Sequence, residues 1–350
     1  MGVIRFLFLA DTHLGFDYPF RPRIQRRRRG DDFFANFQRA LRPAFEGSVD
    51  AVIHGGDLFF RSRVPARLVD MAFAPFKELA DRGVPVYIVP GNHERSRIPF
   101  RLLGEHPAIH IFDSPRTFCL EKHGIRVVLA GFPYWRENIR RCFPEVLAST
   151  GWRDFFPGCD SALLCLHHCF EGAAVGPSDY TFRGAEDVIR HRDVPQEFTA
   201  VLSGHIHRHQ VLRSDLYGRT LKTPVLYPGS IERTSFAEKE EPKGLLHLIL
   251  GQRGAGAPTH LDWEFVKLPA RPMVRIRIPK GPMDNEALDR FLRRSISRLD
   301  PGSIGRLQIE GPVRSECLPL LRAESLRHLC PPEMNISLGV QASGRFSRAR

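Results

Sequence analysis

Short apolar runs that end abruptly in polar residues recur along the chain, at 3–10, 51–53, 84–89, 125–130, 162–166, 200–202 and 224–226. Their apolarity is continuous, which predicts strands covered on both faces, as in a layered α/β domain. Helical periodicity separates the first of them. Residues 32–46 place Phe33, Phe37, Leu41 and Phe45 on one stripe, and residues 66–82 do the same with Leu68, Met71, Phe76 and Leu79 before Gly83. Runs at 245–250 and 261–268, separated by 251–258, predict a closing hairpin.

The pattern changes around Leu268-Pro269-Ala270-Arg271-Pro272, which sets a boundary between a domain of residues 1–268 and one of 269–350. Beyond it the sequence predicts a strand at 274–278, a helix at 285–299 capped by Asp284, a strand at 305–310 and a helix at 317–329. The stripe Leu288, Leu292, Ser295 and Leu299 needs a sheet to cover it, so a small α+β module is expected. The tail 344–350 is basic.

Groups able to bind metal follow five of the predicted strands: Asp11-Thr12-His13, Gly56-Asp57, Gly91-Asn92-His93-Glu94, His167-His168 and Gly204-His205-Ile206-His207. Open α/β sheets gather functional residues outside the carboxyl ends of their strands, so these distant groups can meet. Asp11 and His13 are two apart and can point the same way, as can His205 and His207. Asp57 has two oxygens with which to bridge a metal pair, and Asn92 offers a neutral one. The glycines at 55, 56, 91 and 204 permit tight turns beside ions. Imidazole and oxygen donors without a thiolate suit manganese, iron or zinc. Each element alone is more often a turn or a cap; five in this order are not.

Composition then narrows the partners. Fifty-one Lys and Arg against 39 Asp and Glu leave a formal charge of +12, which favours polyanions, nucleic acid before acidic membrane. Arg61, Arg63, Arg95, Arg97, Arg136 and Arg208 sit beside the ligand loops and form a candidate DNA-binding rim, with Phe16, Tyr18, Phe20, Phe59 and Phe60 as candidate stacking partners for frayed bases. Arg26–Arg29 reads as a solvated charge run. Seven scattered cysteines without a CxxC pair argue against a disulfide framework. Cys165, His167 and Cys169 share a face by strand period, but no second pair closes a zinc site. The short apolar start contains Arg5 and has no small-residue cleavage site, and no segment approaches a membrane span. A cytoplasmic protein is expected, with no membrane partner.

The order DxH, GD, GNH, H, GHxH resembles the calcineurin-like metallophosphoesterases. Within them the chain looks most like the SbcD-type DNA-repair exonucleases, on Ala10-Asp11-Thr12-His13-Leu14-Gly15, Gly56-Asp57-Leu58-Phe59 and the stretch Tyr227-Pro228-Gly229-Ser230-Ile231-Glu232-Arg233-Thr234-Ser235-Phe236. Metal binding does not of itself demand Thr234-Ser235-Phe236. The resemblance covers residues 3–268 well and the rest loosely. It implies a β-sandwich flanked by helices with a small C-terminal capping domain. It also implies two divalent ions, manganese first, and a 3′–5′ exonuclease with single-strand endonuclease activity in double-strand break repair. Carried over, Asp11, His13, Asp57 and His207 hold one ion; Asp57, Asn92, His167 and His205 hold the other; His93 is catalytic, acting on the leaving group. An SbcC-type SMC-like ATPase is the implied partner beside DNA, and a homodimer is left open. Two points depart from the pattern. Phe60 stands where relatives often carry a histidine, and His168 competes with His167 as the ligand. A small-molecule metallophosphatase and a non-catalytic DNA-binding scaffold are the rival readings; the arginine rim weighs against the first, and the full ligand set with His93 against the second.

Overall fold

The computed structural model describes residues 2–17, 27–94, 105–252, 259–281 and 283–339. The chain divides into two compact units, Met1–Tyr18 with Asp32–Pro269, and Pro19–Asp31 with Ala270–Arg350.

Strands of the first unit are β1 (Val3–Leu9), β2 (Ala51–His54), β3 (Val86–Ile88), β4 (Ile109–Ile111), β5 (Arg116–Lys122), β6 (Ile125–Gly131) and β7 (Ser161–Leu166). Four two-residue strands follow, β8 (Cys169–Phe170), β9 (Ala174–Val175), β10 (Tyr180–Thr181) and β11 (Val188–Ile189). The unit closes with β12 (Ala200–Ser203), β13 (Gln210–Ser214), β14 (Thr220–Tyr227), β15 (Lys243–Gln252) and β16 (Thr259–Leu268). Twelve of them build two six-stranded mixed sheets, ordered β16-β15-β1-β2-β3-β4 and β13-β14-β12-β7-β6-β5, while β9 pairs with β10 and β8 with β11. Helices α1 (Arg29–Phe45) and α2 (Ala66–Asp81) belong with the first sheet, α3 (Ile139–Ala148) and α4 (Trp152–Phe155) with the second.

The continuous apolarity of the central strands has a direct cause. In β1, Ile4, Phe6 and Phe8 enter a core shared by the two sheets, together with Val127, Leu129, Leu163 and Leu202, while Leu7 and Leu9 pack against Phe37, Phe73 and Phe76 of the helices. Both faces of the pleat are therefore covered. The expected architecture, a sandwich flanked by helices, is what forms. The 66–82 stripe is placed differently. Leu68, Val69, Ala72, Phe73, Phe76, Leu79 and Ala80 are buried, whereas Met71 is 44% exposed. At 3.6 residues per turn the apolar face centres on Ala72 and Phe76, and Met71 falls off it.

In the second unit β17 (Met273–Ile278), β18 (Ile304–Ile309) and β19 (Asn335–Leu338) form an all-parallel sheet. Helix α5 (Asn285–Ile296) starts at Asp284, whose side chain accepts from Ala287 N–H at 2.8 Å. Its buried stripe is Leu288, Leu292 and Ile296, with Ile296 where Ser295 was expected. The single helix expected at 317–329 is broken. A 3₁₀ stretch, Ser315–Leu321, precedes α6 (Ala323–Leu329), and Pro319 within it lacks the N–H that an α-helix would need. Arg271, expected in a linker, is buried; it donates to Gly302 O, Asn335 Oδ1 and Glu333 O and ties together the ends of β18 and β19. Among the described residues no helix is long and apolar enough to cross a membrane.

Candidate metal centre

Five loops leave the carboxyl ends of β1, β2, β3, β7 and β12, three from one sheet and two from the other. The first two are laced together like a continued parallel ladder: Asp11 N–H donates to Gly56 O at 2.9 Å, His13 N–H to Asp57 O at 3.0 Å and Leu14 N–H to Leu58 O at 2.8 Å. Asp11, His13, Asp57 and His205 all have positive φ, from 44° to 80°. Side chains with a Cβ rarely adopt that conformation, which costs of order 1–3 kcal/mol each. Four of the seven non-glycine residues so strained among those described are predicted site residues.

The strain aims the side chains at one another. His13 Nε2 lies 2.9 Å from His207 Nε2, and His207 Nε2 lies 3.9 Å from Asp11 Oδ1. Asn92 Oδ1 is 3.1 Å from His167 Nε2 and 2.9 Å from His205 Nδ1. His167 Nε2 is 3.4 Å from Asp57 Oδ1. Three sets, Asp11/His13/His207, His13/Asp57/His93 and Asp11/Asp57/His167, each bring one ligand-type atom per residue within 4.8 Å of one another.

Backbone partners fix these orientations. His167 Nδ1–H donates to Gly55 O at 2.7 Å, which turns Nε2 inward. His205 N–H donates to Asp11 Oδ2 at 3.0 Å, and His93 N–H to Asp57 Oδ1 at 2.9 Å. Glu94, buried, accepts from Gly91 N–H at 2.7 Å, Phe59 N–H at 2.7 Å and Asp57 N–H at 3.1 Å, and so clamps the loop of Asp57 to the loop of Asn92.

Electrostatics follow the packing. Burial raises Asp11 to about 6 against the opposing charges of His167 and His207. Burial would also raise Asp57, but the charge and hydrogen bond of His167 outweigh it and hold the carboxyl down. In return Asp57 outweighs the burial of His167 and lifts that imidazole to about 9. His205 is pushed down to about 3 by burial and by the charge of His167. Two buried carboxylates and a ring of inward imidazoles thus crowd strongly interacting charges into one buried centre.

The donor set fits a pair of divalent ions. Its oxygens and imidazole nitrogens converge without a thiolate, a set that suits manganese, iron or zinc. The loops also leave no room for side chains: a Cβ on Gly91 would sit 2.2 Å from Asp57 Oδ1, and one on Gly56 2.2 Å from His167 Nδ1.

A family model described as calcineurin-like phosphoesterase matches residues 4–209, the stretch that carries all five loops. The chain belongs to that family. Among curated relatives, the DNA double-strand break repair protein Mre11 of Methanocaldococcus jannaschii is 25% identical over 295 residues, or 82% of this chain and 73% of that one. The protein of that name from Aeropyrum pernix is 26% identical over 84% of this chain and 68% of its own length. That from Haloferax volcanii is 36% identical over 69% and 48%. The chain thus spans about half to three-quarters of these relatives.

Within this phosphoesterase centre several expectations change. His168 is turned away: its Nε2 accepts from Trp135 N–H at 3.0 Å and its ring stacks on Tyr134. His167 alone of the pair faces Asp57. Phe59 is fully buried and unable to stack on a base, while Phe16 and Phe60 are partly buried beside His13 and His93. Arg208 is not a free rim cation; it donates to Asp179 at 2.6 Å, Gly176 O at 2.7 Å and Glu241 at 3.1 Å. Arg61, Arg63 and Arg136 are exposed, whereas Arg95, Arg97, Tyr18 and Phe20 lie outside the described residues. Cys165 packs between the sheets and Cys169 in the outer core, so they do not share a face. Sequence reasoning gave no role to Glu94, though it follows His93 directly, or to Glu238, whose carboxylate reaches His207 Nδ1 at 3.3 Å.

Proposed function

We propose that the protein is a manganese-dependent DNA nuclease. Asp11, His13, Asp57 and His207 hold one ion, Asp57, Asn92, His167 and His205 the other, and His93 acts on the leaving group. The observation that carries this reading is the convergence of those seven side chains at a two-metal centre of the kind that hydrolyses phosphodiesters, with the His93 Nε2 atom beside it, 3.8 Å from Asp57 Oδ2. Ions bound there supply Lewis acidity toward phosphoryl oxygens and a nucleophile from water at neutral pH. Asp57, buried and held by the His93 N–H and by His167, keeps its carboxylate oriented. His93 presents Nε2 for proton donation to the departing sugar oxygen. Exposed Arg61 and Arg63 follow Asp57 in sequence and supply charge for a phosphate backbone.

The distant relationship to double-strand break repair proteins supports DNA as the substrate. The region 269–350 carries exposed Arg275, Lys280 and Arg294, further charge for contacts to the polymer. Association with an SMC-like ATPase belongs to the same proposal and is checked by co-purification. The function is tested by release of nucleotides from end-labelled linear DNA with Mn²⁺, beside cleavage of bis-p-nitrophenyl phosphate. Hydrolysis of both, DNA far better, is expected. Cleavage of the small diester alone would overturn the DNA reading in favour of a small-molecule phosphodiesterase.

A further inference from the structure

The stretch from Tyr227 to Phe236 contains residues that metal binding does not of itself require. In the fold it wraps around one proposed ligand. Ser230 N–H donates to the carbonyl oxygen of His207 at 3.0 Å, and a Cβ on Gly229 would sit 2.9 Å from that oxygen, so the turn passes against the His207 backbone. Ser235 caps the 3₁₀ turn Phe236–Glu238, accepting from Ala237 N–H, and this turn delivers Glu238 to the His207 ring.

Glu238 is 8% exposed and its two oxygens have separate tasks. Oε1 lies 3.3 Å from His207 Nδ1 and accepts from Thr234 Oγ1 at 2.5 Å. Thr234 Oγ1 itself stands 3.3 Å from the same Nδ1. Because the hydroxyl proton goes to Glu238, the Nδ1 position faces two acceptors. Oε2 accepts from Lys243 Nζ at 2.7 Å. Lys243 is completely buried, and its other partners are His207 O at 2.9 Å and Glu241 Oε2 at 3.3 Å, so all three ammonium protons have acceptors. Arg208 donates to the other oxygen of Glu241 at 3.1 Å and carries the network on to Asp179.

A plainer role for Glu238 would be as counter-charge to Lys243. That role uses Oε2, is shared with Glu241, and leaves unexplained why Oε1, Thr234 and Nδ1 meet. We infer that Glu238 is a positioning residue for His207: seated by Thr234 and Lys243, it takes the Nδ1–H hydrogen bond and turns the Nε2 lone pair into the metal centre. Carboxylate partners of ligand histidines fix tautomer and ring angle in this way, and losing one typically costs 10–100-fold in metal affinity. The assignment rests on the reading of His207 as a ligand.

Three single variants separate the two readings. Mn²⁺ binding is measured by calorimetry, and the imidazole tautomer of His207 by ¹⁵N NMR of the metal-free protein. His207→Ala should lose one of two Mn²⁺ equivalents; if both remain at wild-type affinity, His207 is no ligand and the larger reading fails. Glu238→Ala should weaken one Mn²⁺ site by roughly 10–100-fold, leave the other unchanged, and shift His207 from the Nδ1–H form to a tautomer mixture. If Glu238→Ala leaves Lys243 too poorly compensated to fold, Thr234→Val carries the test. It keeps the Lys243–Glu238 pair, and should weaken the same site by several-fold and move the same ¹⁵N signals. A folded variant with wild-type Mn²⁺ affinity and an unshifted tautomer, while His207→Ala loses an ion, overturns the positioning role alone.

Discussion

His93 Nδ1 lies 2.6 Å from the carbonyl oxygen of Phe60, so Nδ1–H donates there and the Nε2 position, which in the imidazolium form carries the second ring proton, faces the space beside Asp57. The acceptor is backbone, and its service does not depend on which side chain stands at position 60. The phenylalanine ring contributes a wall: it lies 5.9 Å from His93, 5.8 Å from His13 and 4.7 Å from Phe16, centroid to centroid. The histidine that the resemblance implies at this place is a phenylalanine here, and the orientation of His93 does not depend on it.

That orientation yields the first expectation. His93→Ala should bind Mn²⁺ and DNA as the wild type does and lower turnover by roughly 10²–10⁴-fold, the range for a general acid. Because His93 also belongs to one of the metal-capable sets, metal content is the deciding measurement. Loss of an ion from the variant would make His93 a ligand and remove the leaving-group role.

Asp57→Ala should abolish both Mn²⁺ equivalents and all hydrolysis. Its carboxylate accepts from His93 N–H and faces His167, so its removal loosens both ion positions at once. Elemental analysis showing one retained equivalent would confine Asp57 to a single ion.

Replacing Arg61 and Arg63 by serine should weaken DNA binding and flatten its salt dependence, by about 0.9 in the log–log slope for each phosphate no longer neutralised. Activity on bis-p-nitrophenyl phosphate should hardly change. A slope identical to that of the wild type returns both residues to ordinary solvated charge.

The metal-free protein should lose stability in mild acid partly through His54. This buried ring donates Nε2–H to Thr12 Oγ1 at 3.0 Å, since the Thr12 hydroxyl proton goes to Leu58 O, and its Nδ1 accepts from Gly56 N–H at 3.2 Å. A second ring proton would meet a donor, and burial with the charge of His167 pushes His54 down to about 3. The unfolded chain takes up that proton near pH 6.5. His54 is therefore fully compatible with the fold above pH 6.5, and stability falls as pH drops from 6.5 toward 3, by ~1.4 kcal/mol per pH unit. Denaturant titrations at pH 7, 6 and 5 should show a shallower decline for His54→Asn than for the wild type. Parallel declines would remove His54 from the account.

Much of this arrangement is legible in the sequence, for physical reasons that also mark where legibility stops. Doubly covered strands such as β1 and β12 announce themselves by unbroken apolarity, and the ligand loops follow because strand ends concentrate polar groups. β5 escaped notice because it is an edge strand whose residues Arg116–Lys122 bury only Leu120 fully. β4 is three residues long with His110 in the middle. His168 stands as a rival to the expected ligand His167 in the sequence, and only the fold shows the peptide N–H of Trp135 occupying it. The positive φ at Asp11, His13, Asp57 and His205 falls on residue types that tolerate it better than most, but which Asp or His adopts it is decided by tertiary contacts that the sequence does not display.

The ligand loops are drawn from both sheets, which gives the centre a second meaning as a seam. β1, β2 and β3 contribute Asp11, His13, Asp57 and Asn92, while β7 and β12 contribute His167, His205 and His207. An ion held from both halves of the sandwich ties the two sheets together, so its dissociation is coupled to how they pack. Chelator stripping should accordingly be accelerated by substitutions such as Leu129→Ala in the core between the sheets, and a wild-type stripping rate in that variant would make the grip a local one.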